Sequence, residues 1–360
     1  MAAPSSSSDG TYPSSDSDAE SSTTNYGPGG DESAAFAYRD GALSWGKSAL
    51  KDEDIITVTG AEGKYTIYSL APADLEAKGR PSFFELRTTS AKLLPQPFLK
   101  RYLVRILPEH LRPPNILRVL ISTLSGTGLA PKFFDDVLHP LLQAVGLPDS
   151  SYVVLRTKTT ESVKEFARSV LLAEANEGSK QTVLMLSGDG GMVDTINGLL
   201  EDGSRSSKYT PPVLSQLPLG TGNALFHSLH RPSPLPSIYI QGLHTLLHGA
   251  PTPLPIFEAK FSPGARVVTN EGQTATPLSN NTLYGAVVAS YGLHATLVAD
   301  SDTTEYRKHG DKRFGLVAKD LLFPEGGVPP HAYKANVTLV KDGKSEERTW
   351  ICACELGVES

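Results

Sequence analysis

The chain has 360 residues, 39% of them hydrophobic and 20% charged, with a net charge of -6. That length accommodates two domains with cores of their own, and the composition excludes a fibre or a wholly disordered chain. The acidic balance excludes a general nucleic-acid binder or a polybasic membrane binder, both of which need surplus Lys and Arg, so any lipid contact is local.

Residues 1–40 are rich in Ser, Asp, Gly and Pro and poor in large aliphatics, the composition of a disordered tail that cannot bury enough apolar surface to offset its ordering. The first residues lack a basic region followed by an apolar core, and no apolar run reaches the ~18 residues of a membrane helix, so neither a secretory signal nor a transmembrane segment is expected. Cys352 and Cys354 are the only cysteines. They lack the partners of a zinc site and indicate a reducing compartment, hence a cytoplasmic protein with at most peripheral membrane association.

Residues 41–112 read as an N-terminal extension. Within it IITVTG and KYTIYSL flank Ala61-Glu62-Gly63 as a hairpin. Residues 83–111 carry apolar side chains in a helix-like distribution broken by Pro95, Pro97 and Pro108. Lys100, Arg101 and Arg105 there are read as a solvated helix face in preference to a contact with acidic lipid.

Residues 113–232 alternate strand and helix four times. The strand 116–124 leads into Ser125-Gly126-Thr127-Gly128, after which Phe133, Val137, Leu141 and Leu142 share a helical face ending at Gly146. A second strand, 152–155, precedes a helix carrying Val163, Phe166, Val170 and Leu171. In the third unit Val183, Leu184, Met185 and Leu186 form an unbroken apolar run, Ser187-Gly188-Asp189-Gly190-Gly191 breaks it, and Met192, Ile196 and Leu199 or Leu200 resume at helical spacing. The fourth strand, 213–217, runs into Pro218-Leu219-Gly220-Thr221-Gly222-Asn223 and a helix from Ala224. This alternation predicts an α/β domain whose parallel sheet carries helices on both faces and binds ligand beyond the carboxyl ends of its strands. Residues 233–360 open with a helix over 239–247. There Gln241, His244 and His248 are expected to be solvated. Strands at 258–270, 282–289 and 335–340 follow, predicting a second, mainly β, sandwich-like domain that is incomplete.

Three glycine turns each follow a strand and precede a helix, which suits a phosphate bound by backbone amides and a helix N-terminus. None fits GxxxxGK[ST], and none gives GxGxxG with a later acidic partner. Asp189, inside the middle turn, would repel a bare phosphate. Its presence implies either a Mg2+ ion bridging to phosphate oxygens or a base aimed at an attacking hydroxyl, and both mean phosphoryl transfer. The competing reading is a turn aspartate that caps its own helix.

SGDGGMVDTINGLL followed by LPLGTGNAL resembles the paired signature of the diacylglycerol kinase catalytic-domain family, closest to its sphingosine (long-chain base) kinase branch. Asp194 and Asn197-Gly198-Leu199 stand where that family has an acidic residue and then Asn-Gly-Leu. The stretch with Ala299, Asp300, Ser301, Asp302, Glu305, Tyr306, Arg307, Lys308, Gly310, Arg313 and Phe314 is similar to its acidic and Tyr-Arg block. The resemblance implies ATP and Mg2+ as cofactors and a lipid presented at a membrane as substrate. It implies Asp189 as general base or magnesium-linked carboxylate. Nucleotide contacts would come from Ser125, Gly126, Gly128, Ser187, Gly188, Gly190, Gly191, Asp194, Gly220, Thr221, Gly222 and Asn223. Asp302 is a second candidate for magnesium or an amino head group, beside an Asx turn, and Arg307, Lys308, Lys312 and Arg313 read as a solvated basic patch.

The chain departs from the family at three places. Ser122-Thr123-Leu124 replaces an Asn-Pro start to the first motif, residues 232–260 hold neither Asp nor Arg, and no late Asp-Gly-Glu occurs. The expected activity is phosphorylation of the primary hydroxyl of a sphingoid base, with a diacylglycerol kinase or a non-catalytic lipid- or nucleotide-binding homologue as alternatives.

Overall fold

The computed structural model describes residues 35–61, 63–72, 84–123, 126, 128–201, 203, 205–230 and 237–352. Most of the expected tail lies outside these residues. Its last part does not behave as tail, since Ala37–Arg39 is a strand paired with Ala42–Trp45, which in turn pairs with Ser48–Lys51.

A second antiparallel sheet joins Ile55–Ala61, Lys64–Pro72 and Phe84–Ala91, so the expected hairpin gains a third strand. This corrects the helical reading of 83–111: Phe84–Ala91 is extended, and only Gln96–Tyr102 forms an α-helix. Pro95 and Pro97 sit at the start of that helix, where a missing N–H costs nothing. Leu43, Ile55, Val58, Ile67, Phe98 and Tyr102 make the core of this extension.

The central sheet is parallel, in the order Val213–Pro218, Gln181–Ser187, Ile116–Ile121, Tyr152–Arg156. Successive side chains point to opposite faces of a strand, and here each face has its own apolar cover. Val119, Ile121, Leu184, Leu186 and Leu217 meet the helical stretch 130–144 and the helix Ile238–His248. Leu120, Val183 and Met185 meet the helical stretch 162–176 and the helix Asp189–Leu200. All seven residues of Gln181–Ser187 are buried, as a strand covered on both sides requires.

The helix Ile238–His248 also seals the extension against this sheet. Thr57 donates its hydroxyl to the Tyr102 carbonyl at 3.1 Å and lies 3.3 Å from Nε2 of His248, whose ring stacks on His244 at 4.5 Å. His110 Nε2 reaches the Leu246 carbonyl at 3.0 Å. His244 and His248 are therefore half-buried packing residues, and Gln241 donates to the His230 carbonyl at 3.3 Å. None of the three is the freely solvated residue expected. Burial, and then the neighbouring His244, holds His248 down at about 4, and burial lowers His244 and His110 as well.

Because these folded-state values lie below the ordinary 6.5 of the unfolded chain, the stabilisation is complete above that pH and is lost as pH falls towards 4. Thermal melts at pH 7 and pH 4.5 should show this loss. His248→Gln, which retains an N–H for Thr57, should reduce it by ~1–2 kcal/mol after allowance for the ring's partial exposure.

Beyond the sheet the expected mainly β domain is instead mixed. Three separate two-stranded ribbons pair Phe257–Lys260 with Thr282–Gly285, Arg266–Thr269 with Thr274–Pro277, and Tyr333–Lys341 with Lys344–Cys352. Between the second and third lie the helices Leu293–Ser301, Thr304–Arg307 and Arg313–Leu322. Two-layer sandwich packing is absent among the described residues, because helical segments occupy the sequence that a continuous sheet would need. No helix among the described residues is long and apolar enough to cross a membrane.

Candidate active site

The strands Ile116–Ile121, Gln181–Ser187 and Val213–Pro218 are adjacent and parallel, so the three glycine turns open on one edge of the sheet. They are also in backbone contact. Gly126 has φ +57°, and a Cβ there would stand 2.7 Å from the Leu219 carbonyl and 3.0 Å from the Gly220 carbonyl carbon. A Cβ on Gly188 would stand 2.8 Å from the Gly220 Cα. Glycine is required at these points because backbone approaches backbone and no side chain can rotate aside. Gly128, Gly190 and Gly222 differ, since an added Cβ would meet open space at each. The described parts of the three turns thus form a bare backbone floor that opens outward. Ser125 lies outside the described residues.

Asp189 stands at the junction of the middle and third turns. Its Oδ2 accepts from the Ala224 N–H at 2.7 Å and its Oδ1 from the Leu225 N–H at 2.9 Å. The carboxylate is half-buried and caps the helix Ala224–Leu229 of the following unit, not its own helix. An ionised carboxylate offers about four lone-pair sites, so each oxygen keeps one for another donor. Its own helix begins at Gly188 with no side-chain cap, leaving first-turn N–H groups of a 12-residue helix for an anion.

Two expected contact residues are turned inward. Asn223 is only 3% exposed and adopts the left-handed conformation at φ 50°. Its Oδ1 accepts from the Gly220 N–H at 3.0 Å, and its Nδ2 donates to the carbonyls of Gly220 at 2.9 Å and Pro218 at 3.3 Å. With its amide occupied in this way, it shapes the third turn from beneath. Ser187 is fully buried, and its hydroxyl packs where a Cβ on Gly191 would otherwise lie. That contact explains the second of the two adjacent glycines. Asn223 is turned inward because a tight turn folds its short polar side chain back onto its own backbone, whereas Ser187 is covered as part of the fully buried strand that precedes its turn.

Asp194 faces Glu161 and Lys164 near the start of the helical stretch 162–176, and burial, followed by the charge of Glu161, pushes its carboxyl up to about 6. Thr123 donates its hydroxyl to the Thr157 carbonyl at 2.8 Å and its N–H to the Thr157 hydroxyl oxygen at 2.9 Å, tying together the ends of two strands beside the first turn. Sequence reasoning gave that pair no role, although a Thr at each of two strand ends was the available sign.

Magnesium fits this site only in company. No group of three or more His, Cys, Asp or Glu side chains capable of holding a metal occurs among the described residues. Asp302, the second candidate, gives both its oxygens to Arg307, at 3.0 Å and 2.6 Å. Lys308 likewise pairs with Glu305 at 2.8 Å, and the Arg313 guanidinium lies 4.9 Å from the Phe314 ring centre. Asp189 is the carboxylate at the turns, which suits an ion that brings most of its oxygen ligands with a phosphate.

Residues 117–258 match the diacylglycerol kinase catalytic domain. This stretch of the chain belongs to that family. Among its relatives, sphingosine kinase 1 of Arabidopsis thaliana is 21% identical over 250 residues, which cover 66% of this chain and 46% of that protein. Sphingosine kinase 1 of Homo sapiens is 26% identical over 57% of this chain and 47% of that protein, and sphingosine kinase 1 of Rattus norvegicus 34% identical over 33% and 28%. These relatives support the sphingosine kinase branch of a lipid kinase family. The chain spans less than half the length of each of them. The matched span runs from the first strand of the parallel sheet into the first ribbon beyond it, so it contains all three glycine turns and Asp189.

Proposed function

We propose that this chain is an ATP-dependent lipid kinase that phosphorylates the primary hydroxyl of a sphingoid long-chain base presented at a membrane surface, acting as a peripheral protein in the cytoplasm. The observation that carries this reading is the Asp189 carboxylate held at the seam of the glycine turns by two backbone amides. Asp189 accepts the acceptor hydroxyl's proton as its oxygen bonds to the γ-phosphorus, while the bond to the β–γ bridging oxygen breaks and ADP leaves. Gly126, Gly128, Gly190, Gly220, Thr221 and Gly222 form the phosphate floor, with Gly188 and Gly191 allowing its close packing and Asp194 at its margin. Mg2+, when bound, would offset phosphate charge, and Asp189 is the carboxylate that would help hold it. Among the described residues no Lys or Arg from the first motif reaches this floor, so amide donors carry the recognition of phosphate.

Incubating the protein with labelled ATP, Mg2+ and vesicles of sphingosine, ceramide or diacylglycerol tests the assignment. Label on sphingosine is expected. Label on diacylglycerol alone would reassign the substrate, and bound ATP with no labelled lipid would favour a non-catalytic binding protein.

A further inference from the structure

Asn197 lies on the helix Asp189–Leu200, eight residues and therefore ~12 Å along the axis from the carboxylate at its start. It is 5% exposed. Its Nδ2 donates to the Val193 carbonyl and to the Tyr284 carbonyl, each at 2.8 Å, while its Oδ1 accepts from the Tyr284 N–H at 2.9 Å. Both amide hydrogens are used, and the carboxamide pairs with Tyr284 as one peptide unit pairs with another in a sheet.

Tyr284 belongs to the strand Thr282–Gly285 of the second lobe, whose other edge is paired with Phe257–Lys260. Among the described residues, two further links join this helix region to that lobe. Asn280 reaches the Glu201 carbonyl at 3.5 Å, and Leu254, Ala286 and Val287 rest partly buried on the apolar cluster containing Met185, Met192 and Leu225. On an adjoining face the helix is fixed. A Cβ on Gly198 would lie 2.6 Å from both the Ala167 Cβ and the Lys164 carbonyl, so this helix and its neighbour are in close backbone contact.

The geometry points to Asn197 as a positioning residue: its carboxamide seats the second lobe on the rod whose first residue is Asp189, and so sets the distance between that lobe and the base. Only a side chain with one donor and one acceptor at this reach serves, and Asn is the one that fits, since Asp lacks the donor and Gln is a methylene too long. The inference rests on the kinase reading for its catalytic consequence, with lipid held by the second lobe, while the pairing itself stands independently.

Hydrogen exchange and steady-state kinetics on the full chain test the two parts separately. In Asn197→Ala the Tyr284 amide should exchange ~10- to 100-fold faster than in the wild type, the range for two lost hydrogen bonds. The KM for sphingosine in vesicles should rise about tenfold with the KM for ATP changed less than about twofold, because only lipid placement depends on the lobe. Asn197→Asp keeps the volume and loses the donor. It keeps the acceptor for the Tyr284 N–H, so the KM for sphingosine should rise while that amide stays protected. Asn197→Leu, similar in volume and lacking both donor and acceptor, should move both readouts as Ala does and decides the matter if the Ala variant does not fold. A Tyr284 amide that exchanges at the wild-type rate in the Ala or Leu variant overturns the pairing. Equal changes in both KM values overturn the positioning role and indicate a general structural one. Should the wild type label no lipid, the kinase reading fails and the exchange rate alone decides whether the pairing holds.

Discussion

Asp189→Asn is expected to lower turnover by about 10²- to 10⁴-fold, the usual contribution of a positioned general base. The KM for ATP should change far less than turnover, because the backbone amides that bind the phosphates stay in place and only the share of Asp189 in holding Mg2+ is reduced. The structural cost follows from the same two hydrogen bonds. The Asn oxygen can still accept from the Leu225 N–H, whereas its NH2 group then faces the Ala224 N–H, donor against donor. Losing one cap of this kind costs roughly 1 kcal/mol, which thermal denaturation would resolve. Near-normal turnover in a folded Asp189→Asn protein would show that the carboxylate only caps a helix and that the hydroxyl's proton leaves by another route.

Gly188→Ala should have the larger structural effect. The added methyl carbon would stand 2.8 Å from the Gly220 Cα and 3.6 Å from its nitrogen, so relief requires the third turn to move as a whole. Overpacking of this kind costs ~1–3 kcal/mol, and a displaced third turn carries the Ala224 and Leu225 amides away from Asp189, so turnover should fall together with stability. Gly190→Ala is the control from the same turn. A methyl there meets open space, and the change should stay within about 0.5 kcal/mol. Chemical denaturation of the two variants side by side measures the contrast. Equal stabilities would mean that the middle and third turns are not in backbone contact in solution.

The parallel sheet was legible because each of its strands is a short apolar run and three of them end in glycine. Residues 183–186 could hardly be anything but a strand buried on both faces, and the helix after them repeats Met192, Ile196 and Leu199 on its inner side. Phe84–Ala91 was misread because a half-buried strand flanked by prolines leaves apolar residues at spacings that also suit a helix. The helices over 293–322 went unseen because that stretch was weighed for its charges, several of which pair locally, as Asp302 does with Arg307 and Glu305 with Lys308. At the site, the glycines and Asp189 could be read from the chain, but their partners could not. The contact of Asp189 with Ala224 and Leu225 spans 35 and 36 positions, and no local pattern encodes it. His244 and His248 illustrate the same limit: a helix reads as solvated until the surface that covers it is known.

The sheet is lopsided in what it supports. One of its two edge strands, Tyr152–Arg156, carries no glycine turn, pairs among the described residues with Ile116–Ile121 alone, and leaves Val153 54% and Val154 38% exposed. Gln181–Ser187, two places inward, has neighbours on both sides and no exposed residue. Substitution at Val153 and Val154 is therefore free to reshape that flank of the molecule, whereas a single altered methyl group in Gln181–Ser187 is felt at the mouth of the cleft. Variation and constraint are divided across a distance of two strands.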